Sequence, residues 1–443
     1  MSRLPWLLLF IASDALAGGY FFPDSGVVAV GRGGAFVASA DDTFAQYYNP
    51  GALARLDRWT IDLGVSGVRQ DLEFTRQLDD GSFADPVSNQ DGFFTVPQIG
   101  VGGPLIEDKL HLAVGLYTGY APSFGYDPDG PQRYTLNDSL VWQAYAGPTL
   151  TYSPIPQLSV GVGLQWQFLR VEQELTASLN GTDDPNNDVG VRVEQFDPFA
   201  PSANFGVLVR PVDELSVGLT VQLPSSFNAS GTMTADLSDT TIADLLVETR
   251  LEDDDVRLAL DMPLILKAGV AVHPVPESAI EVAVVWENWG SFEELTLSEI
   301  DLEIESQFFQ APEVDPELAL PAGLRDTVSL RLGGSVDVID ELTLRAGGFY
   351  ETGAHTDDRL SVGLYDPSKF QLGGGTSVHL LDDRLHADLS VAGVFFANRT
   401  VTDSSVEQVV LQDVDPLVVG NGEYRSSGLV IAGGLSWMFG KAE

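Results

Sequence analysis

Three kinds of residue or segment are absent or scarce in this sequence, and each scarcity excludes a class of function. There is no cysteine among the 443 residues, which excludes disulfides, cysteine-ligated zinc and thiol nucleophiles. Lysine and arginine total 23 against 64 aspartates and glutamates, and the resulting charge of −41 excludes the basic surface that nucleic-acid binding requires. No segment after residue 17 contains about 18 consecutive apolar residues, so no transmembrane helix is expected.

Histidine is also scarce, and no catalytic motif compensates for it. His273 and His386 lie at or beside predicted short turns, and His355 lies in a predicted loop. No HExxH, GxSxG or P-loop pattern is present. We therefore expect no enzyme, no metal site and no cofactor.

The N-terminus has the pattern of a secretory signal peptide. Arg3 is followed by an apolar core over residues 4–12 and by the small-x-small cleavage site Ala15-Leu16-Ala17. This pattern predicts a signal peptide over residues 1–17. An exported protein without a transmembrane helix is periplasmic, secreted or an outer-membrane barrel.

Apolar and polar residues alternate along most of the remaining chain, which is the pattern of half-buried β-strands. About fourteen such segments are joined alternately by short turns rich in proline or aspartate and by long polar links. Between Leu158 and Trp166, apolar residues alternate with serine, glycine and glutamine, which predicts a lipid-facing and a lumen-facing set. We predict an all-β fold, a transmembrane antiparallel β-barrel of about 14 strands over residues 58–443.

A different kind of segment, residues 18–57, precedes the first predicted strand. It is rich in glycine and alanine, and its glycines are spaced too closely for a stable helix or a regular strand. Asn49-Pro50-Gly51 then predicts a turn, because proline fixes φ and both asparagine and glycine tolerate left-handed conformations. A compact segment of small residues needs a wall to pack against, and the predicted barrel provides one.

The pattern SGVVAVGRGGAFVASADDTFAQYYNPGAL resembles the N-terminal hatch of the FadL/TodX-type outer-membrane transporters of long-chain fatty acids and other hydrophobic compounds. In that family a small-residue segment ending in Asn-Pro-Ala plugs the barrel, and here glycine replaces the alanine. The similarity continues in order through residues 96–98, 286–295, 331–334 and 342–347. It implies a hatch over residues 18–57, with the gating residues Gly26, Gly31, Gly33, Gly34, Asn49, Pro50 and Gly51.

The resemblance also implies a route for the substrate. Hydrophobic molecules would enter the barrel from outside and leave sideways into the bilayer, through a gap at an inward kink in the third strand. The matching lateral-gate residues are Gly119, Tyr120, Ala121 and Pro122, where glycine weakens a strand and proline cannot donate to a ladder. The alternative is that Pro122 simply ends the strand.

The implied substrate is a long-chain fatty acid, whose carboxylate needs a cation. Arg32, Arg55 and Arg133 are the candidates, with Arg170 and Arg331 also available. Phe308 and Phe309 belong to an apolar loop that either collects ligand or packs against other loops. Uptake of aromatic or aliphatic hydrocarbons remains an alternative because basic residues are few, and so does a structural barrel or adhesin without transport.

The expected surroundings follow from the barrel and the resemblance. The protein should be a monomer in the outer membrane of a Gram-negative cell, in contact with lipid and lipopolysaccharide and folded by the barrel-assembly machinery. Clusters of acidic residues in the predicted outer loops either keep the loops solvated or bind divalent cations.

Overall fold

The computed structural model describes residues 24–236, 250–292, 294–299, 317–321, 323–410 and 414–440. The predicted signal peptide over residues 1–17 and the ligand-binding candidates Phe308 and Phe309 lie outside the described residues. Among the residues described, no helix has the length and apolar character needed to cross a membrane.

Fourteen antiparallel strands form one closed barrel, which confirms the predicted fold. The ring closes where the first strand pairs with the last, with Trp59 opposite Phe439 and Arg76 opposite Gly422. From first to fourteenth, the strands are Trp59–Arg76, Phe94–Ile106, Leu110–Tyr120, Asp138–Ile155, Leu158–Ser178, Asp188–Val212, Leu215–Gln222 with Ser225–Asp236 (the seventh), Arg250–Met262 with Ile265–Val272 (the eighth), Ser278–Glu287, Thr327–Ile339, Leu342–Glu351, Lys369–Leu380, Leu385–Phe396 and Gly422–Phe439.

The alternation in the sequence sorts side chains between the two faces of the wall. Leu164 and Trp166 are 62% and 53% exposed on the outer surface, whereas Gln165 between them is 5% exposed and faces the lumen. Successive residues of a strand point to opposite faces, so an apolar outer surface and a more polar interior follow directly from the pattern.

The small-residue segment lies inside the barrel. It contains the short helices Val27–Gly31 and Ala45–Tyr48 and the 3₁₀-helix Pro50–Arg55. Residues such as Ala29, Val30 and Ala35 are fully buried there. Their small size lets the backbone of the hatch approach the wall closely, and the hatch therefore fills the lumen at this level.

Short additional elements lie between the barrel strands. Among the described residues, five of these elements are strand segments and three are 3₁₀-helices. The strand segments are Val87–Ser88, Ser123–Gly125, Glu294–Ser298, Glu317–Pro321 and Arg399–Val401, and the 3₁₀-helices are Pro185–Asn187, Trp289–Ser291 and Asp357–Arg359. Glu294–Ser298 and Glu317–Pro321 pair as a hairpin inside a stretch that the sequence pattern marks only as a link.

Candidate functional site: the hatch and a gap in the wall

Two consecutive glycines allow the hatch to turn against the wall. Gly33 and Gly34 have φ values of 60° and 69°, in the left-handed region that favours glycine. A side chain at Gly33 would collide with the backbone of Gly347 and Gly348 on the eleventh strand. Gly31, Gly26 and Gly51 are also in close contact, so the predicted hatch glycines all lie at packed positions.

The Asn49-Pro50 turn connects the hatch to two strands. The Asn49 side chain is fully buried and donates to the Val37 carbonyl at 2.9 Å and to the Val207 carbonyl at 3.1 Å. Its Oδ1 accepts from the Gly51 N–H at 3.0 Å. The Thr151 hydroxyl donates to the Pro50 carbonyl at 2.6 Å. The turn therefore satisfies buried polar groups as well as reversing the chain.

A buried carboxylate on the ninth strand binds the middle of the hatch. Glu281 is fully buried and accepts hydrogen bonds from the N–H groups of Val37, Ala38 and Ser39 at 2.6, 3.0 and 2.9 Å. The Ser39 hydroxyl adds a fourth bond at 2.5 Å. Three successive amides directed at one carboxylate neutralise a charge that would otherwise be costly to bury. Sequence reasoning missed Glu281, although an acidic residue within a run of apolar strand positions marks the lumen face.

A second carboxylate, Asp62 on the first strand, accepts from the Thr43 N–H at 2.8 Å and from its hydroxyl at 2.5 Å. The pKa of Asp42, a residue of the hatch, is raised well above its usual range, mainly by burial and secondly by the negative charge of Asp62. Burial likewise lowers the pKa of Arg32, while Glu281 opposes that effect. The hatch is therefore held by charged groups in addition to apolar packing.

The three arginine candidates do not converge on one site. Arg32 donates to the Ser39 hydroxyl at 2.7 Å, and Arg55 donates to the Ser216 hydroxyl at 2.6 Å, so both support the hatch. Arg133 lies in the link before the fourth strand, at the end of the barrel where the long links join the strands (the long-link end). It pairs there with Asp183 at 2.5 Å and Asp188 at 2.6 Å.

The wall has a gap between the second and third strands. Their pairing stops at Ile99 and Leu116 and resumes beyond the second strand, where the Gln90 N–H donates to the Gly125 carbonyl at 2.8 Å. Within the described wall, residues 94–98 have no backbone partner on the third strand. At about 3.3 Å per residue, this stretch is roughly 16 Å long.

The predicted lateral-gate residues border this gap. A bulge separates Thr118 from Tyr120, and Ala121-Pro122 then interrupts the strand. The segment Ser123–Gly125 continues the same register along the fourth strand, because Tyr120 pairs with Gln143 and Ser123 pairs with Leu140. Pro122 therefore interrupts the third strand rather than ending it.

The beginning of the described hatch closes the gap from inside. The Ser25 hydroxyl donates to the Thr118 carbonyl at 2.7 Å, and the Gly26 N–H donates to Gln98 Oε1 at 2.7 Å. Asp24 forms a buried ion pair with Arg331 on the tenth strand. The hatch thus makes one hydrogen bond to a backbone carbonyl and one to a side chain at the two edges of the gap.

A buried lysine lies beside the hatch. Lys267 faces the lumen, donates to the Tyr47 carbonyl at 3.0 Å and lies 3.5 Å from the centre of the Tyr47 ring. It forms no salt bridge in the part of the chain that the structure describes. Sequence reasoning considered only arginines and missed this cation, although a lysine at an inward position of the strand Ile265–Val272 is a visible signal.

An aromatic and apolar region lies between Lys267 and the long-link end of the barrel. The Tyr47 ring contacts Tyr117 at 5.4 Å between centroids, and Tyr117 stacks on Tyr145 at 5.4 Å. Tyr120 reaches across the lumen, where its ring meets Trp289 at 5.8 Å. The lumen cluster, as we call the apolar side chains around Trp289, includes Leu169, Val171, Phe227, Leu258, Met262 and Phe292.

The opposite end of the lumen is polar. A cavity of about 390 Å³ lies below the hatch at the short-turn end and is lined largely by charged and polar side chains. Among them are Asp42, Arg55 and Asp62. The two ends of the hatch therefore face very different environments.

Comparison with known proteins gives a consistent result. The family model described as outer membrane protein transport protein (OMPP1/FadL/TodX) matches residues 8–439. No curated protein gives a significant match.

Solved structures show the same fold at low sequence identity. A FadL homologue of Pseudomonas aeruginosa is similar with a TM-score of 0.78 and 16% identity, covering 96% of this chain and 100% of the other. The toluene transporter TodX of Pseudomonas putida is similar with a TM-score of 0.67 and 15% identity, covering 95% and 99%. The CymD monoaromatic hydrocarbon channel gives 0.66 and 15%, covering 95% and 98%.

Proposed function

Because the chain belongs to the OMPP1/FadL/TodX family of outer-membrane transport proteins, we propose that it takes up long-chain fatty acids through a hatch-gated barrel with a lateral exit. The family consists of transport channels for hydrophobic compounds and is not an enzyme family. The observation that carries the finer proposal is the gap between the second and third strands, at both edges of which the hatch forms hydrogen bonds.

The lateral direction follows from the contrast between the two exits. Below the hatch, a hydrophobic molecule would have to pass Asp42, Asp62 and Arg55 and strip water from them, which is unfavourable. Beside the hatch, the gap opens through the wall toward the apolar outer surface. An apolar tail therefore leaves more favourably through the wall than through the polar floor.

Lys267 is the cation we assign to the fatty-acid carboxylate. It is buried beside the hatch, and its ammonium group contacts the Tyr47 carbonyl and the rings of Tyr47 and Tyr48. Arg331, a buried cation near Lys267, is already paired with Asp24. The hydrocarbon tail would then replace contacts within the lumen cluster, where Tyr120 connects the cluster to the gap.

Binding would open the gap by competition. A ligand carboxylate near Lys267 and Arg331 weakens the attraction between Arg331 and Asp24, because the added negative charge repels Asp24. Release of Asp24 frees Ser25 and Gly26, which hold the hatch against Thr118 and Gln98. The headgroup is thereby coupled to the exit of the tail.

A second candidate substrate class is the aromatic hydrocarbons. The aromatic rings of Tyr47, Tyr117 and Tyr145 form a contiguous surface that suits a small aromatic ligand. A neutral ligand would make no use of Lys267, and this difference separates the two candidates.

Replacing Lys267 by methionine tests the assignment. Purified protein in detergent is titrated with oleate and with toluene, and bound molecules are extracted and identified by mass spectrometry. We expect Lys267→Met to weaken oleate binding by about tenfold to a hundredfold, the loss of one hydrogen bond to a charged group, and to leave toluene binding unchanged. The exposed short-turn residue Lys109 provides the control variant Lys109→Met.

The possible results separate clearly. Equal oleate binding by the two variants would remove Lys267 from the site, and toluene binding without oleate binding would favour the hydrocarbon alternative. A protein that binds neither compound would refute transport of both classes. It would favour a structural barrel.

A further inference from the structure

The scatter of the histidines along the sequence predicts no metal site, but one hairpin places two of them opposite each other. His379 on the twelfth strand pairs with His386 on the thirteenth. Their rings stack with centroids 4.1 Å apart and 15° between the planes. Both side chains are partly buried and line the polar cavity at the short-turn end.

The turn between the two strands brings a carboxylate to the same point. Asp383 Oδ1 lies 2.7 Å from His386 Nε2 and 3.3 Å from His379 Nδ1. The three potential ligand atoms lie within 4.8 Å of one another. Leu381, Asp382 and Asp383 all have positive φ, and this tight turn directs the Asp383 side chain back toward the rings.

Hydrogen bonding determines which nitrogen of a neutral His379 ring carries the proton. The Thr343 hydroxyl has one proton and donates it to Asp337 Oδ1 at 2.5 Å. At its contact of 3.0 Å with His379 Nε2, the Thr343 oxygen must therefore accept, so this nitrogen carries the proton. In a neutral ring, His379 Nδ1 then directs its lone pair at Asp383 Oδ1, and two acceptors face each other.

A cation between these acceptors removes the repulsion. We propose that His379, Asp383 and His386 bind a divalent transition-metal ion of the zinc class, with water from the cavity completing the coordination. Ligand atoms about 2.0–2.2 Å from a tetrahedral zinc ion are about 3.3–3.6 Å apart. The 3.3 Å separation at His379 fits this value, whereas the 2.7 Å contact at His386 must lengthen and the stacked rings must turn to admit the ion. Imidazole nitrogens favour such an ion over calcium or magnesium, which prefer an all-oxygen set.

The surrounding contacts match those of a metal site. Thr343 and Asp337 form a hydrogen-bonded chain behind His379, the kind of outer contact that orients a metal-bound imidazole. Arg58, which follows the hatch and precedes the first strand, contacts the other Asp383 oxygen at 2.9 Å. An ion at this turn would therefore link the hairpin to the junction between hatch and barrel.

Zinc binding to the full chain in detergent tests the proposal. The protein is treated with chelator, then titrated with Zn²⁺ by calorimetry in excess Ca²⁺, which occupies the exposed carboxylates. We expect one saturable site, and binding at least tenfold weaker in His379→Gln/His386→Gln. His273→Gln is the matched control, because His273 lines the same cavity but lies on a different turn, and it should bind zinc like the unmodified protein.

Two further variants separate a metal site from a local hydrogen-bond network. Asp383→Asn should weaken zinc binding while leaving the barrel folded, as checked by heat-modifiable migration. Thr343→Val should weaken it by about tenfold, the effect typical of removing an outer contact. Co²⁺ in place of zinc should give the absorption of a tetrahedral ion. Absence of a saturable site, or equal binding by the double histidine variant, would overturn the proposal and leave a proton as the bridging cation.

Discussion

Replacing Glu281 by glutamine tests whether the hatch can be released inside a barrel that stays folded. The carboxylate accepts two bonds at Oε1, from Val37 and Ala38, and two at Oε2, from the amide and hydroxyl of Ser39. Glutamine preserves the shape and can still accept at its oxygen. Its NH₂ group cannot accept, so the Ser39 amide then faces a second donor.

The expected magnitude follows from the bonds lost. A hydrogen bond to a charged group contributes about 1.5–3 kcal/mol, and bonds that share one acceptor do not add fully. We therefore expect the hatch to lose about 3 kcal/mol of local stability, which corresponds to roughly a hundredfold larger open population. The wall should be unaffected, because the hydrogen bonds of the ladder between the ninth and tenth strands do not involve this side chain.

Native-state hydrogen exchange measures this directly. Protection of the amides of residues 37–39 should fall by roughly a hundredfold in Glu281→Gln, while amides of the strand Ser278–Glu287 stay protected. Glu277→Gln, at an exposed acid on the preceding turn, is the matched control. Unchanged protection in the hatch, or equal loss in hatch and wall, would refute the view that Glu281 anchors a separately opening unit.

Three further predictions concern the hatch and its contact with the gap. Gly33→Ala should displace the hatch and raise channel conductance in planar bilayers, because the new methyl group collides with Gly348 and adds about 1–2 kcal/mol of backbone strain. Gly81→Ala is the control: Gly81 lies at an open loop position with φ of 82°, so the substitution adds the strain without a collision and should leave conductance normal. Asp24→Asn leaves the Arg331 charge buried without its ion-pair partner, which should destabilise the closed hatch by about 3–5 kcal/mol. Toluene should then enter liposomes containing the variant faster, and an unchanged rate would show that this ion pair does not hold the gap closed. Because burial raises the pKa of Asp42, its ionised form destabilises the hatch, and hatch protection corrected for intrinsic exchange should increase as pH falls from about 7 toward about 4. Asp42→Asn should weaken this dependence, and a dependence that the substitution leaves unchanged must come from another group.

The barrel was predictable because its pattern is local. Period-two alternation and the regular exchange of short and long connections determine strand number, faces and closure, and both appear in the sequence without knowledge of any partner. The interruption of the third strand was also visible, since Pro122 cannot donate to a ladder. Its continuation as Ser123–Gly125 was not, because that depends on pairing with the fourth strand.

The candidate site was less predictable because its contacts join distant segments. Glu281 and Val37 are 244 positions apart, and Asp24 and Arg331 are 307 positions apart. Charge alone made Arg32, Arg55 and Arg133 equivalent candidates, whereas their partners in the structure give them different roles. The histidine pair is the exception: the predicted hairpin already places residues 379 and 386 opposite each other, so its register could have revealed them.

The polar attachment of the hatch supports the proposal that a ligand releases it from the wall. Apolar packing is not directional, and a hatch held by it alone would respond weakly to the headgroup of a ligand. The contact at the gap instead depends on one ion pair and two hydrogen bonds at Asp24, Ser25 and Gly26, and an added charge nearby acts on the ion pair directly. A fatty acid carries such a charge and a hydrocarbon does not. Under the proposed mechanism, uptake of a hydrocarbon would rely on spontaneous opening, and breaking the Asp24–Arg331 pair should accelerate hydrocarbon entry more than fatty-acid entry.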